Sequence, residues 1–222
     1  MKRLTTFILF IIGALLLLAG CSSNEDNFTS KSYTADGTQT KSIYIDVRDR
    51  EIDVLPSNDN QIYIDYYESD KEYYEISISN NNELTMTAAT NKDWKDYIGG
   101  KAAANNRKIT LRIPDTLVSS LVLSTTNDDI SLPAVTVTDS ISLSTNGGNI
   151  EFEKLNAGNS LTLKTKNGDI NGTINGNYDD YSISCDVKKG ESNLPAHKEG
   201  GEKVLSITVN NGDSNIDFES VQ

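Results

Sequence analysis

From Ile43 onward, apolar and polar residues alternate with a period of two, which is the pattern of half-buried β-strands. Clusters rich in Asn, Ser and Pro separate the alternating runs, as expected of turns between strands. No stretch of ten or more residues has convincing helical spacing. The pattern therefore predicts an all-β body, with strands over the apolar positions 43–47, 52–54, 62–66, 74–78, 84–88 and 109–113.

An internal repeat fills the middle of the chain, where residues 121–140, 141–160 and 161–180 align without a gap. A unit of this length cannot bury its apolar face alone, so we expect successive units to stack with parallel strands and like residues on like. The motif returns at 205–213. The aligned columns are Leu121, Ile141, Leu161 and Tyr181; Leu123, Leu143, Leu163 and Ile183; Thr125, Thr145 and Thr165, continued by Cys185; Asp129, Asn149 and Asp169; and Ile130, Ile150 and Ile170.

The repeat predicts a single-stranded parallel β-helix, or β-solenoid, with coils of about twenty residues and the Thr column in its interior. Asn, Gly and Asp mark the corners of the coils, because Gly and Asn adopt positive φ at little cost. The alternative is an antiparallel meander or sandwich with hairpins at Asn167-Gly168 and Asn211-Gly212.

Three repeated segments also carry a family resemblance: Ser-Thr-Thr-Asn-Asp-Asp-Ile (124–130), Ser-Thr-Asn-Gly-Gly-Asn-Ile (144–150) and Lys-Thr-Lys-Asn-Gly-Asp-Ile (164–170). Together with the run at 109–114, they resemble the bacterial "putative adhesin" family of β-strand-repeat domains over about residues 40 to 220. The resemblance implies a surface or membrane-attached protein, in some members linked with envelope stress. Two departures stand out: Asp128 replaces the usual Gly, and residues 186–204 interrupt the period.

The N-terminus has the layout of a bacterial lipoprotein signal. Lys2 and Arg3 precede an apolar run that is short for a membrane span, and the run ends Leu18-Ala19-Gly20-Cys21. This tetrapeptide resembles the lipobox, in which cleavage before the Cys leaves it diacylated. We therefore predict a removed signal peptide at 1–20, a flexible polar tether at 21–40, a β-strand-repeat domain at 41–222, and lipidation of Cys21.

The composition of the chain argues against several classes of function. Acidic residues outnumber basic ones by 32 to 20, which argues against nucleic-acid binding. Removing residues 1–20 leaves 18 basic residues and a net charge of −14, so the lipid is the anchor and the acidic body should stand off an anionic leaflet. One histidine and two cysteines argue against a His-based triad or a metal cluster. We expect no cofactor.

Exposed aromatic residues supply the candidate binding face, which comprises Tyr63, Tyr67, Trp94 and Tyr97. Flat rings beside carboxylates suit a glycan, because the rings cover sugar C–H faces while the carboxylates accept from hydroxyls. The structural alternatives are that tyrosine simply favours strands and that Trp94 caps the open edge of the first coil.

Polar residues at the coil corners raise two further hypotheses. Asp129, Asp169 and Asp213 are candidate Ca²⁺ ligands, as in a calcium-loaded spacer, although turn-backbone bonding is the simpler expectation. Asp128 and Asp129 with Lys164 or Lys166 are the only candidates for a polysaccharide-processing enzyme. His197 is expected in a solvated loop, and Cys185 as a small buried side chain.

These observations predict a membrane-anchored extracytoplasmic lipoprotein that acts as a non-catalytic structural or binding module of the cell envelope. Its partners would be the bilayer, through the acylated Cys21, and an envelope glycan or protein. A polysaccharide-processing β-helix enzyme is the alternative.

Overall fold

The computed structural model describes residues 27–97, 101–114 and 118–219, which form two β-sheets facing each other across one apolar core. No α-helix occurs in these ranges, where the only helical elements are short 3-10 turns at Trp94–Tyr97, Ala104–Arg107 and Tyr178–Asp180. The all-β prediction is confirmed. Residues 1–20 and Cys21 lie outside the described residues.

Sheet A contains eight strands in the order β1-β4-β7-β3-β9-β11-β13-β17. Their bounds are β1 (Thr29–Asp36), β3 (Glu51–Pro56), β4 (Gln61–Glu68), β7 (Lys108–Ile113), β9 (Ile130–Val137), β11 (Ile150–Ala157), β13 (Ile170–Asn175) and β17 (Ser214–Glu219).

Sheet B contains nine strands in the order β15-β14-β16-β12-β10-β8-β2-β6-β5. Their bounds are β2 (Ser42–Asp46), β5 (Glu72–Ile78), β6 (Glu83–Thr90), β8 (Ser120–Ser124), β10 (Ser140–Thr145), β12 (Ser160–Asn167), β14 (Tyr181–Lys189), β15 (His197–Lys198) and β16 (Lys203–Asn211).

The repeat stacks as the sequence predicts. Each coil contributes one strand to each sheet, and the pairing is parallel with a twenty-residue offset, as in Ile141 opposite Leu161 and Ile150 opposite Ile170. Leu and Ile of the columns are fully buried between the sheets. The body is therefore a solenoid-like repeat, and the hairpin-array alternative does not describe residues 120–175.

The prediction of an entirely parallel solenoid is wrong at both ends, since β15 pairs antiparallel with β14 at the C-terminal end and the sheets are mixed at the N-terminal end. β4 runs antiparallel to both β1 and β7, and β5 runs antiparallel to β6. The turn between β5 and β6 is too short for a parallel crossover, so the chain must reverse there. Asn82 in that turn has a φ of 61°.

The strands at both ends are also out of chain order. β3 lies between β7 and β9, and β16 lies between β12 and β14. β14 therefore pairs with β16 rather than with β12, and Ile183 lies opposite Leu205. Ile183 therefore belongs to the Leu161 column and not, as predicted, to that of Leu163. Cys185 lies opposite Ile207 and so belongs to the Leu163 column, not to the Thr column as predicted. The 3-10 turn before β14 makes this coil two residues longer than the coils of the repeat. The residue of β14 that lies opposite Leu205 is therefore Ile183 rather than Tyr181.

The predicted flexible tether is too long. Residues 29–36 form β1, which pairs with β4 along eight residues and closes that edge of sheet A. Polar composition suggested a spacer, but an edge strand with one solvated face can be almost wholly polar. Only Ala35 of β1 is buried.

Candidate functional site

A cavity of about 160 Å³ opens at the N-terminal end of the solenoid, where the corner between β2 and β3 meets the β5–β6 hairpin. Short loops and strand ends, rather than the repeat itself, supply its walls. The lining residues are Arg48, Asp49, Arg50, Glu72, Tyr73, Tyr74, Ala88, Ala89, Thr90, Lys92 and Tyr97. We call this the Arg50 cavity.

Arg50 forms the floor of the cavity and is only 3% exposed. Its guanidinium donates to the Tyr74 hydroxyl (2.6 Å) and to a Glu72 carboxylate oxygen (2.5 Å), and to the carbonyls of Arg48 and Asp49. A buried guanidinium needs such partners for its fan of donors. Burial lowers the pKa of Arg50, but Tyr74 and Glu72 raise it by more. The pKa of Arg50 therefore lies above its ordinary value.

Glu72 lies between two cations, because its second carboxylate oxygen pairs with Lys92. Burial raises the pKa of Glu72, but the hydrogen bonds from Lys92 and Arg50 outweigh it and bring that pKa below its ordinary value. The carboxylate is therefore ionised at neutral pH and serves as an acceptor rather than as a proton donor.

Aromatic rings surround this ion network. The Tyr74 ring meets Tyr66 edge to face, with centroids 5.2 Å apart, and Phe28 lies 5.9 Å from the Arg50 guanidinium carbon. Burial raises the pKa of Tyr74, which keeps its hydroxyl protonated. The Tyr97 ring lies 5.5 Å from the Lys92 ammonium.

Asp49 lies at the rim of the cavity and has an unusual backbone conformation, with a φ of 53°. Its carboxylate accepts from the Asn127 amide (2.6 Å) and pairs with Lys101 (3.1 Å). Burial raises the pKa of Asp49, yet these two contacts lower it further than burial raises it. The rim is thus attached to the first corner of the repeat.

The Arg50 cavity can bind a small polar ligand. Its charged floor is already paired internally, so what it offers a ligand is the faces of Tyr73 and Tyr97, the small side chains of Ala88 and Ala89, and hydrogen-bonding groups around them. Its volume is below that of a drug-sized pocket, which suits a single ring-sized group.

The structure divides the four predicted binding residues into two groups. Tyr63 and Tyr67 lie on the outer face of β4 in sheet A, opposite to buried Ile62 and Ile64, as the alternation predicted. Tyr63 donates to Asp59 and stacks on Arg112. Trp94 and Tyr97 lie in the 3-10 turn after β6, and only Tyr97 lines the cavity. Trp94 is 71% exposed and so does not cap the first coil.

The corner carboxylates form a ladder between coils. The side-chain oxygen of Asp129 accepts a hydrogen bond from the backbone N–H of Asn149 (2.7 Å). In the same way, the Asn149 side chain accepts from the Asp169 N–H (2.9 Å), and the Asp169 side chain accepts from the Asp213 N–H (2.8 Å). We expected bonding within each turn, but the acceptor is one coil away because identical corners stack at strand spacing. In the described part of the chain, no group of three or more His, Cys, Asp or Glu side chains is placed to hold a metal ion.

The carboxylates considered for catalysis are engaged in structural contacts. One guanidinium nitrogen of Arg107 donates to both carboxylate oxygens of Asp128, at 2.5 and 2.6 Å. Asp129 belongs to the corner ladder. Lys164 and Lys166 lie exposed on β12. His197 is exposed beside Glu199, and the buried Cys185 thiol lies 3.4 Å from the Ser192 hydroxyl.

Comparison with known proteins confirms the family resemblance. The model of the Toastrack DUF4097 family matches residues 40–175, which is more than half of the chain. The chain belongs to this family. The matched Toastrack region runs from just before β2 to the end of β13, so β1 and β14–β17 lie outside it.

Comparison with solved structures supports the fold. A "putative cell adhesion protein" from Clostridium sporogenes superposes with a TM-score of 0.56 at 8% identity, covering 87% of this chain and all of that one, which shows a common fold. A "putative adhesin" from Parabacteroides distasonis (12% identity, 88% and 81% coverage) has a TM-score of 0.36. No curated protein matches the chain.

Proposed function

We propose that this chain is a non-catalytic binding module of the cell envelope, held on the extracytoplasmic face of the membrane by an acylated Cys21. The Arg50 cavity is its contact site, and an envelope glycan is its partner. The family and its fold are compatible with such a module, since the Clostridium sporogenes protein of the same fold is called a "putative cell adhesion protein".

The observation that supports the contact site is an open space lined by aromatic rings. In the repeat, corner Asp and Thr side chains bond to the backbone of a neighbouring coil. Around the Arg50 cavity, by contrast, Tyr73 and Tyr97 flank an open space. Aromatic faces next to hydrogen-bonding groups are suited to sugar rings.

The non-catalytic assignment rests on the state of the carboxylates. Glu72 is ionised between two cations, and Asp128 is held by Arg107. A glycosidase needs two carboxyl groups that face a substrate, one of them able to donate a proton. A direct test is to incubate residues 22–222 with wall and capsular glycans. Depolymerisation that Asp129→Asn or Asp169→Asn abolishes would establish the enzyme instead.

Filling the cavity tests the contact site. Ala88→Phe places a ring in the cavity without removing any ion pair, and the acylated protein should then lose binding to isolated envelope glycan in a pulldown. Ala134→Phe is the matched control, because Ala134 is an exposed alanine on β9 of the repeat. Equal binding by both variants would reject the cavity, and capture of a protein instead of glycan would reject the partner class.

The anchor has its own test. Cys21→Ala should leave an uncleaved precursor that takes up no acyl label, because the modified thiol is gone. Normal processing of this variant at another site would contradict lipidation. No helix among the described residues is long and apolar enough to cross a bilayer.

A further inference from the structure

We propose that Trp94, in the 3-10 turn after β6, docks on the phospholipid surface that holds Cys21 and so fixes which end of the solenoid faces the membrane, while Tyr97 at the other end of the turn still lines the Arg50 cavity. The occupant of this surface is the head-group layer of the bilayer. The inference rests on the acylation proposed above, and its test separates the two.

The N-terminal tether joins the fold at the start of β1. Six residues lie between Cys21 and Phe28, so seven Cα–Cα steps join the two, and β1 begins at Thr29. Seven such steps span at most about 25 Å when extended and about 14 Å as a flexible chain. An acylated Cys21 therefore keeps the start of β1 within reach of the head groups, whatever the rest of the molecule does.

The exposed aromatic turn lies at the same corner as the start of β1. Thr29 pairs with Glu68, the last residue of β4. Three residues further on, Lys71 accepts at its carbonyl from Asn91 (3.0 Å), and its ammonium pairs with Asp96 in the turn (2.6 Å). Phe28 stacks on Arg50, which lines the same cavity as Tyr97. A short tether thus brings the turn to the membrane.

The side chains of the turn suit a bilayer interface. Trp94 is 71% exposed and Tyr97 63%, more than any other large hydrophobic residue that the structure describes. Tryptophan and tyrosine concentrate at membrane interfaces, because their apolar rings enter the acyl boundary while their polar groups stay hydrated. Lys95 lies 5.7 Å from the Trp94 ring, where its ammonium can remain among the head groups.

Charge explains why this part of an acidic protein can approach a bilayer. Residues 92–97 contain two lysines and two aspartates, so the segment is neutral, whereas the chain without residues 1–20 carries −14. The acidic body stands off the leaflet while the neutral aromatic turn makes contact. Because aromatic partition drives it, docking should depend little on ionic strength.

The single tryptophan makes the experiment direct, since Trp94 is the only fluorophore of its kind in the chain. The acylated protein, residues 21–222, is reconstituted in vesicles of phosphatidylcholine alone, or with phosphatidylglycerol, and in matching vesicles with brominated acyl chains. We expect Trp94 emission to shift to the blue, to lose most of its acrylamide quenching, and to be quenched by bromine in both lipid compositions.

A second reporter at the far end is the matched control. Tyr178 is an exposed aromatic residue before β14, at the opposite end of the sheets, and also lies under a lysine. In Trp94→Phe/Tyr178→Trp, the tryptophan emission and its acrylamide quenching should be the same with and without vesicles, and bromine should not quench it. Quenching of both reporters would overturn the fixed orientation.

The remaining outcomes separate this inference from the proposed function. If Cys21 carries its acyl label and the protein sediments with vesicles, but Trp94 stays fully quenched by acrylamide, the docking is wrong and the anchor stands. If the acyl label is absent and the protein stays in the supernatant, the anchor is wrong, and the docking that depends on it is wrong as well.

Discussion

The middle repeat and the N-terminal end are built from the same alternating strands, but they bury different things. In the repeat, aliphatic residues fill the space between the sheets and the only buried polar groups are small hydroxyls, such as those of Thr125, Thr145 and Thr165. At the N-terminal end, Arg50 is buried with Glu72 and Lys92 beside it. A regular stack leaves no room for a charged network, whereas an irregular end encloses one together with a cavity.

The two regions also satisfy their backbone differently. The Thr column bonds the corner carbonyls of a neighbouring coil, as Thr145 does with Asp128 (3.0 Å) and Thr165 with Gly148 (2.9 Å). At the N-terminal end, Thr125 still donates to the Arg50 carbonyl (2.7 Å), and the Arg50 guanidinium in addition donates to the carbonyls of Arg48 and Asp49. The N-terminal end thus shares the apolar core of the repeat and adds a few charged contacts at its corner.

The largest expected effect is in the interior of the repeat. Thr145 is 1% exposed, so Thr145→Lys buries an unpaired ammonium and should lower the free energy of unfolding by at least about 3 kcal/mol. Lys166→Thr on exposed β12 should change it little. The measurement is urea unfolding followed by circular dichroism, and equal effects for the two variants would contradict the observed register.

A stacked glycine gives the next effect. Gly168 has a φ of 151°, and a Cβ there would lie 2.1 Å from the Gly148 carbonyl oxygen. Gly168→Ala should cost about 2–4 kcal/mol, because two backbones must separate. Gly200→Ala is the control: its φ is 106° but nothing lies within 4 Å, so only strain of about 1 kcal/mol is expected. A smaller loss at Gly168 than at Gly200 would rule out the close corner contact.

The charged network of the N-terminal end should show acid sensitivity. The pKa of Glu72 is lower in the folded state, so its pairing stabilises the fold above the unfolded pKa near 4.5 and is lost as pH falls through the folded pKa. Glu72→Gln should lower stability at pH 7 by about 2 kcal/mol and flatten this acid dependence. Thermal melts from pH 7 to pH 3, with exposed Glu75→Gln as the control, provide the measurement. Unchanged acid dependence in Glu72→Gln would reject this role.

The corner ladder should give the smallest effect. Asp169→Asn keeps an acceptor oxygen, as Asn149 shows in the equivalent position, and should be nearly neutral. Asp169→Ala leaves the Asp213 N–H without its acceptor and should cost about 1 kcal/mol. A melting temperature that rises with Ca²⁺ in the native chain but not in Asp169→Asn would show that the corner binds metal instead.

Sequence reasoning located the candidate aromatics but missed the centre of the cavity. Tyr97 was identified because it stands outside the strand pattern, whereas Arg50, Glu72 and Lys92 look like ordinary surface charges in a polar loop, a strand start and a turn. Nothing in local periodicity distinguishes a charge that another element will cover. The signal that could have found them is the Arg-Asp-Arg segment at 48–50, a cationic corner in an acidic chain.

The order of residues alone predicts the strands, the buried columns and the parallel stacking of residues 120–175, because the periods of two and of twenty are visible in it. The tertiary structure alone decided which strands lie next to each other at the ends. Both β14 and β16 have the apolar alternation that a strand needs to pair with β12. The lengths of the turns and the closure of the sheet edge decide that β16 is the one that pairs with it. It likewise decided that polar residues 29–36 form an edge strand and that Arg50 lies buried, since both depend on partners far away along the chain.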